Sequence, residues 1–149
     1  MQTTKTPSTT LVNAEGLIVG RMCSKVAKHL LNGEEVIILN AEKAVFSGKR
    51  KAKILEGHIF LEVGAPKRGP FHYRRPDKYL RKIVRGMLPY KQPKGKNAYK
   101  RLRVYMGVPL ELKDQNMITF EEASSANLKG PRVTLGELAK EIGWRNRME

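Results

Sequence analysis

The chain has 149 residues, 40% of them hydrophobic, and carries 29 Lys and Arg against 14 Asp and Glu, a formal net charge of +15. That length suits one domain with a real core, and the charge marks a binder of nucleic acid or another anionic surface. No apolar run reaches the ~18 residues of a spanning helix, and the single cysteine, Cys23, excludes an internal disulfide and a cysteine-cluster metal site.

Residues 1–9 are Thr-rich with one proline and are expected to form a flexible tail. They hold no apolar leader, which points to a cytoplasmic location. A single domain is expected over residues 10–149. Leu11-Val12 and Leu17-Ile18-Val19 flank a turn-like Asn13-Ala14-Glu15-Gly16, and one or both belong to a first strand. Val19, Met22, Cys23, Val26, Ala27 and Leu30 then recur with helical period, with Arg21, Ser24, Lys25 and Lys28 off that face. Asn32-Gly33 is the stop signal. Cys23 on the apolar face reads as a small core residue.

Val36-Ile37-Ile38-Leu39 reads as a strand buried on both faces, so strand, helix and strand predict a βαβ unit. Ser47 is placed to cap a second helix running through Lys49 to about Gly57 or beyond. Residues 64–76 hold Gly64, Gly69, Pro66, Pro70 and Pro76 and predict an extended basic loop. Pro76 suits a first helical turn. In the helix that follows, Leu80, Ile83, Val84 and Met87 share one spacing, and Lys78, Arg81, Lys82 and Arg85 repeat it two residues earlier. Two residues are about 200° of helix, so an apolar face opposes a wholly basic one. Arg85-Gly86-Met87-Leu88-Pro89 ends the helix, and a loop with Lys91, Pro93, Lys94, Gly95 and Lys96 follows. Asn97–Arg103 is predicted helical, with Ala98 and Leu102 inward and Lys100, Arg101 and Arg103 outward. Val104-Tyr105 is a short strand before the Gly107-Val108-Pro109 break. Residues 110–132 show no clear pattern. Thr134–Ile142 is a final helix capped by Thr134 with Glu137 three residues on. Its apolar face is Leu135, Leu138, Ala139 and Ile142, Gly143 ends it, and Trp144 packs or binds nearby.

Charge is not spread evenly over these elements. Between Gly64 and Arg103 lie fourteen basic residues and one acid, Asp77, so this segment carries +13 of the +15. Solubility alone does not require one sign packed into one segment. Phe71, Tyr73, Tyr79, Tyr90 and Tyr99 interrupt the run, unlike a disordered basic tail. A basic amphipathic helix also suits an anionic membrane, but the extra basic loops and an apolar face suited to a core argue against that. DNA is open on charge alone, without zinc-finger spacing, a basic zipper or a clear helix-turn-helix. Interleaved rings and a Pro/Gly-rich basic loop fit folded RNA better, where loops thread between helices and rings stack on exposed bases.

Catalysis finds no constellation. Gly16-Leu-Ile-Val-Gly20-Arg21 does not match Gly-x-Gly-x-x-Gly, no Walker lysine or nucleophile elbow is present, and His29, His58 and His72 lack metal-ligand spacing. No cofactor is expected. The candidate RNA contacts are Lys49, Lys67, Arg68, Arg74, Arg75, Lys78, Arg81, Lys82, Arg85, Gly86, Lys91, Lys94, Lys96, Lys100 and Arg101.

Three stretches in order carry a resemblance. They are Val36-Ile-Ile-Leu-Asn40-Ala-Glu-Lys-Ala-Val-Phe-Ser-Gly48-Lys49, then Arg85-Gly-Met-Leu-Pro89, then Arg101-Leu-x-Val-Tyr105-x-Gly107-x-Pro109. Together they resemble the L-13 family of large-subunit ribosomal proteins over about residues 10–110. Asn40-Ala-Glu-Lys-Ala44 and Gly136-Glu-Leu-Ala-Lys-Glu-Ile-Gly-Trp144 resemble its archaeal branch. The His-rich stretch that bacterial members carry after Gly-x-Pro is replaced by Leu110-Glu-Leu-Lys113. The resemblance implies an α/β fold: a three-layer α/β/α domain around a small, mostly parallel four-stranded sheet, with extended basic loops. It further implies direct binding to large-subunit ribosomal RNA early in assembly, beside neighbouring ribosomal proteins, and no catalysis. By motif match it puts Lys49, Arg85, Gly86 and Arg101 near RNA.

Overall fold

The computed structural model describes residues 8–147. Most of the tail expected over residues 1–9 lies outside them. In chain order the regular elements are β1 (Thr9–Asn13), α1 (Val19–Leu31), β2 (Glu35–Leu39), β3 (Val45–Ser47), α2 (Arg50–Glu62), α3 (Pro76–Met87), α4 (Pro93–Lys100), β4 (Leu102–Val104), β5 (Arg132–Thr134) and α5 (Leu135–Glu141). The fold is mixed α/β, as expected. β1 and β2 pair in parallel around α1, with Leu11 opposite Ile37 and Val12 opposite Ile38, which is the βαβ unit. β4 joins the free edge of β2, also in parallel.

The sheet has three strands where four were expected. β3 and β5 form a separate antiparallel ribbon. On the outer edge of β1 a single parallel bridge, Val12 to Ile118, marks where a fourth strand would run. Ile118 donates its N–H to Leu11 O at 2.8 Å, and Asn13 returns one to Ile118 O at 3.0 Å. The ladder is one residue long, between the polar Asp114-Gln115-Asn116 and the 3₁₀ turn Glu121–Ala123.

All six apolar-face residues of α1 are buried. They share one cluster with Val12, Val36, Ile38 and Leu102 of the sheet and with Leu80, Val84 and Ala98 of α3 and α4. Cys23 lies fully inside, and burial pushes its thiol up to about 12, so it stays a neutral core group. The buried stripe of α3 is narrower than expected. Leu80 and Val84 are fully enclosed, Ile83 is half-buried and Met87 is 40% exposed.

Two helix boundaries differ from the sequence reading. Ser47 does not cap α2; it ends β3, where Val45 and Phe46 are drawn into pairing with Thr134 and Val133. Lys49 takes the N-cap position of α2 without a side-chain hydrogen bond. α4 covers Pro93–Lys100, not Asn97–Arg103, with Pro93 in its first turn. Ala98 and Leu102 are both buried, as expected, but Leu102 is buried as a strand residue beside Val36. The final helix holds as read. Thr134 accepts from Glu137 N–H at 3.2 Å, Glu137 accepts from Thr134 N–H, and Leu135, Leu138, Ala139 and Ile142 are buried. Half-buried Trp144 follows, with its N–H on Ala139 O at 2.9 Å.

Gly95 is what lets α4 begin where it does. A Cβ there would fall 2.1 Å from Pro89 O, so the first turn of α4 rests on the backbone that leaves α3. At Gly86 a Cβ would meet nothing within 4 Å. We expect Gly95→Ala to cost about 1–3 kcal/mol through backbone displacement. Gly86→Ala should be neutral or stabilising by up to about 1 kcal/mol in the free protein. Urea denaturation of the two variants checks the contrast.

Candidate nucleic-acid interface

The basic segment runs from a loop onto two helices. Residues 64–75 have no helix or strand and are almost wholly exposed. Lys67 adopts a left-handed backbone there, with φ 64°. Arg74 lies against Gly143, so the end of the loop rests on the end of α5. α3 then turns its buried stripe inward, which forces the opposite face outward. Lys78 and Arg85 are exposed, and Arg81 and Lys82 at the margins of that face are half-buried. Lys91, Lys94, Lys96 and Lys100 follow on and around α4, all exposed.

Carboxylates are absent from this surface with one exception. Arg75 grips Asp77 with two hydrogen bonds, 3.1 and 3.0 Å. The other Lys and Arg ion pairs among the described residues involve Lys25, Lys43, Arg50 and Lys53, all outside the segment. Aromatic rings take the place of acids. Arg85 lies 4.4 Å over the Tyr90 ring, Arg81 4.7 Å over Tyr99, and Lys78 5.8 Å over Tyr73. Such a contact contributes about 0.5–1 kcal/mol at an exposed site. It positions a cation without cancelling its charge, whereas a carboxylate would cancel it. These rings were read from the sequence as stacking platforms for bases. Tyr90 and Tyr99 instead hold arginines. Phe71 is 82% exposed.

Two of the expected contacts, Arg101 and Lys82, carry structural tasks as well. Arg101 is half-buried, and its Nη2 donates to Leu30 O at 2.7 Å, satisfying a carbonyl in the last turn of α1. The Nε atoms of Arg81 and Arg101 are buried with no hydrogen-bond partner among the described residues. Lys82 Nζ lies 3.0 Å from His72 Nδ1. Burial and then the Lys82 charge hold the His72 imidazole below its ordinary 6.5, so the neutral ring accepts from the ammonium. Lys49 stands exposed at the start of α2, and Gly86 is exposed on α3. Sequence reasoning missed the cation-holding role of Tyr90 and Tyr99 and the placement of His72. No local spacing announces contacts that cross between elements.

No group of His, Cys, Asp or Glu among the described residues could hold a metal ion, and no helix among them is long and apolar enough to cross a membrane. The arrangement is a surface dense in cations, held by a core.

Comparison with known proteins agrees with that class. The family model for ribosomal protein L13 matches residues 8–111. The chain is 44% identical over 135 residues to large ribosomal subunit protein uL13 of Methanococcoides burtonii, spanning 90% of this chain and 97% of that protein. It is 46% identical over 136 residues to the protein of the same name in Methanosarcina barkeri, with the same coverage. With that of Methanopyrus kandleri it shares 41% over 140 residues, 91% of this chain and 87% of that one. The chain belongs to the ribosomal protein L13 family, whose members are structural, non-enzymatic constituents of the large ribosomal subunit.

Two outcomes follow from the geometry. Arg101→Met removes a charged hydrogen bond to a helix carbonyl and should lower stability by about 1–3 kcal/mol, whereas Lys100→Met next to it should change stability by no more than about 0.5 kcal/mol. Thermal and urea melts measure both. Lys82→Met should raise the His72 pKa toward its ordinary value in an NMR titration. The folded chain takes up this proton less readily than the unfolded chain. Stability at this site therefore falls as pH drops through the ordinary His range, and it should fall less in the variant.

Proposed function

We propose that this chain binds large-subunit ribosomal RNA directly through the face built from residues 64–101, and that it does so early in subunit assembly in the cytoplasm, beside neighbouring large-subunit proteins. One observation carries the reading. Among the described residues the dense cations of this face lack acidic partners save at Asp77, and several are held in place by rings. Cations presented in this way release counterions from a phosphate backbone without first breaking an internal ion pair. Lys78, Arg85, Lys91, Lys94, Lys96 and Lys100 are the exposed members on the two helices and the turn between them, and Lys67, Arg68 and Arg74 extend the face along the loop. Lys49, Arg75, Arg81, Lys82, Gly86 and Arg101 complete the proposed contact set.

An early role rests on the core. The buried cluster closes without the loop of residues 64–75, so folding does not wait for RNA. A surface ordered in advance avoids the entropy cost that a disordered basic arm incurs on binding. Neighbouring proteins have an available surface on α2, where Leu55, Ile59 and Val63 are exposed at spacings of four residues.

The test is a salt titration of affinity for purified large-subunit RNA, with duplex DNA of equal length as competitor. For six to ten neutralised phosphates the logarithmic slope should lie at about −4 to −9, and the RNA should bind more tightly than the DNA. Exchanging Lys78, Arg85, Lys94 and Lys96 for Gln should flatten the slope by about 3 units while leaving the melting temperature nearly unchanged. The same exchange at Lys25 and Lys28 of α1 should flatten it less. Equal slopes in wild type and the four-Gln protein, both folded, would contradict the assignment.

A further inference from the structure

Beside the basic face, between α2 and α3, lies a cavity of about 260 Å³. Phe60, His72 and Tyr73 form one side of it, and Lys82, Ile83 and Gly86 of α3 form another. Phe60 and Tyr73 are 58% and 48% exposed. A core would have enclosed rings of that size, and here they stand at a cavity mouth. The Phe60 and His72 rings are 5.4 Å apart and tilted at 57°. Gly86 brings no side chain to the wall, and a Cβ there would meet nothing within 4 Å, so that side is open.

We infer that this cavity receives one unstacked nucleobase of the RNA bound by the basic face. The inference rests on the proposed RNA binding and deepens it. Three features select the occupant. The first is size, since the volume falls below the ~300 Å³ at which drug-sized sites begin and suits one ring system. The second is chemistry. Planar rings offer stacking to a flat apolar body, while Lys82 Nζ spends one donor on His72 at 3.0 Å and keeps two for carbonyl or ring-nitrogen acceptors on a base edge. The third is charge. No carboxylate lines the cavity, and Lys78, Arg85 and the 64–75 loop lie next to it in sequence on both sides. A nucleotide reaching in would leave its phosphates among cations. An apolar side chain of a protein partner would fill the same volume but leave the Lys82 donors unused and gain nothing from the surrounding charge.

Stacking and phosphate neutralisation separate in a salt titration, because a lost base contact lowers affinity without releasing fewer counterions. The full-length protein is titrated with large-subunit RNA as wild type, Phe60→Ala, Phe60→Trp and Tyr73→Ala, each checked by a thermal melt. Phe60→Ala should weaken binding by about 5- to 150-fold at unchanged slope, and Phe60→Trp should restore it; Tyr73→Ala, which also releases Lys78, should weaken binding by at least as much. Should Phe60→Ala fail to fold, Phe60→Leu, which keeps apolar bulk without a ring, takes its place. Ultraviolet crosslinking of the wild-type complex should place an RNA adduct on the peptides holding Phe60 or Tyr73. Unchanged affinity in both alanine variants, or a loss in Phe60→Ala accompanied by a flatter slope, would overturn the base site while leaving the basic face intact. Absence of RNA binding by the wild type would overturn the proposed function and the base site together.

Discussion

The burial of Leu80 and Val84 in the cluster shared with α1 and the sheet ties the most basic helix of the chain to its neutral interior. Each such side chain contributes about 1.5–3 kcal/mol when fully enclosed, enough to hold α3 against the repulsion among its own cations. With that stripe in the core, the positions of Lys78 and Arg85 on the outer face follow from helical geometry. α4 is then fixed from two directions. Its first turn sits on Pro89 through Gly95, and Ala98 enters the same cluster. The basic surface is thus an extension of the core packing, with positions set before any partner arrives.

A surface of one sign usually costs stability through self-repulsion. Here rings offset part of that cost. Tyr73, Tyr90 and Tyr99 each hold one cation of α3 by its electrostatic attraction to the π face. Had these positions been Asp or Glu, the cations would be equally well placed but neutralised. Asp77 does this once, to Arg75, at the start of α3 where an acid also suits the helix dipole. A polyanion binder gains from the first arrangement, since its affinity scales with charge that is both positioned and unspent.

Much of the architecture was legible because it is written in short-range periodicity. The six-residue face of α1, the capping box of α5 and the parallel pairing around α1 were all readable within windows of about a dozen residues. The errors share a cause. Val45-Phe46-Ser47 became a strand because of Arg132-Val133-Thr134, a partner more than eighty residues away. Leu102 fits a helix with Ala98 and a strand with Val104 equally well, and pairing with Val36 decides between them. The expected fourth strand is reduced to a single bridge at Ile118, between a polar stretch and the turn at Glu121–Ala123. The basic segment was plain from composition, but the division of labour within it was not. Arg101 is committed to Leu30, 71 residues earlier, and Lys82 to His72 across a loop. Composition counts charges and cannot say which of them are already engaged.

The central claim is that charge on one rigid face, and not the net charge of the chain, engages RNA. Lysine reactivity toward an acetylating reagent, read residue by residue with mass spectrometry in the presence and absence of purified large-subunit RNA, tests it most directly. Lys78, Lys94, Lys96 and Lys100 are exposed within the face, and Lys113, Lys129 and Lys140 are equally exposed outside it. The account predicts strong protection of the first set and unchanged reactivity of the second. Equal protection of both sets, or protection confined to the second, would contradict it.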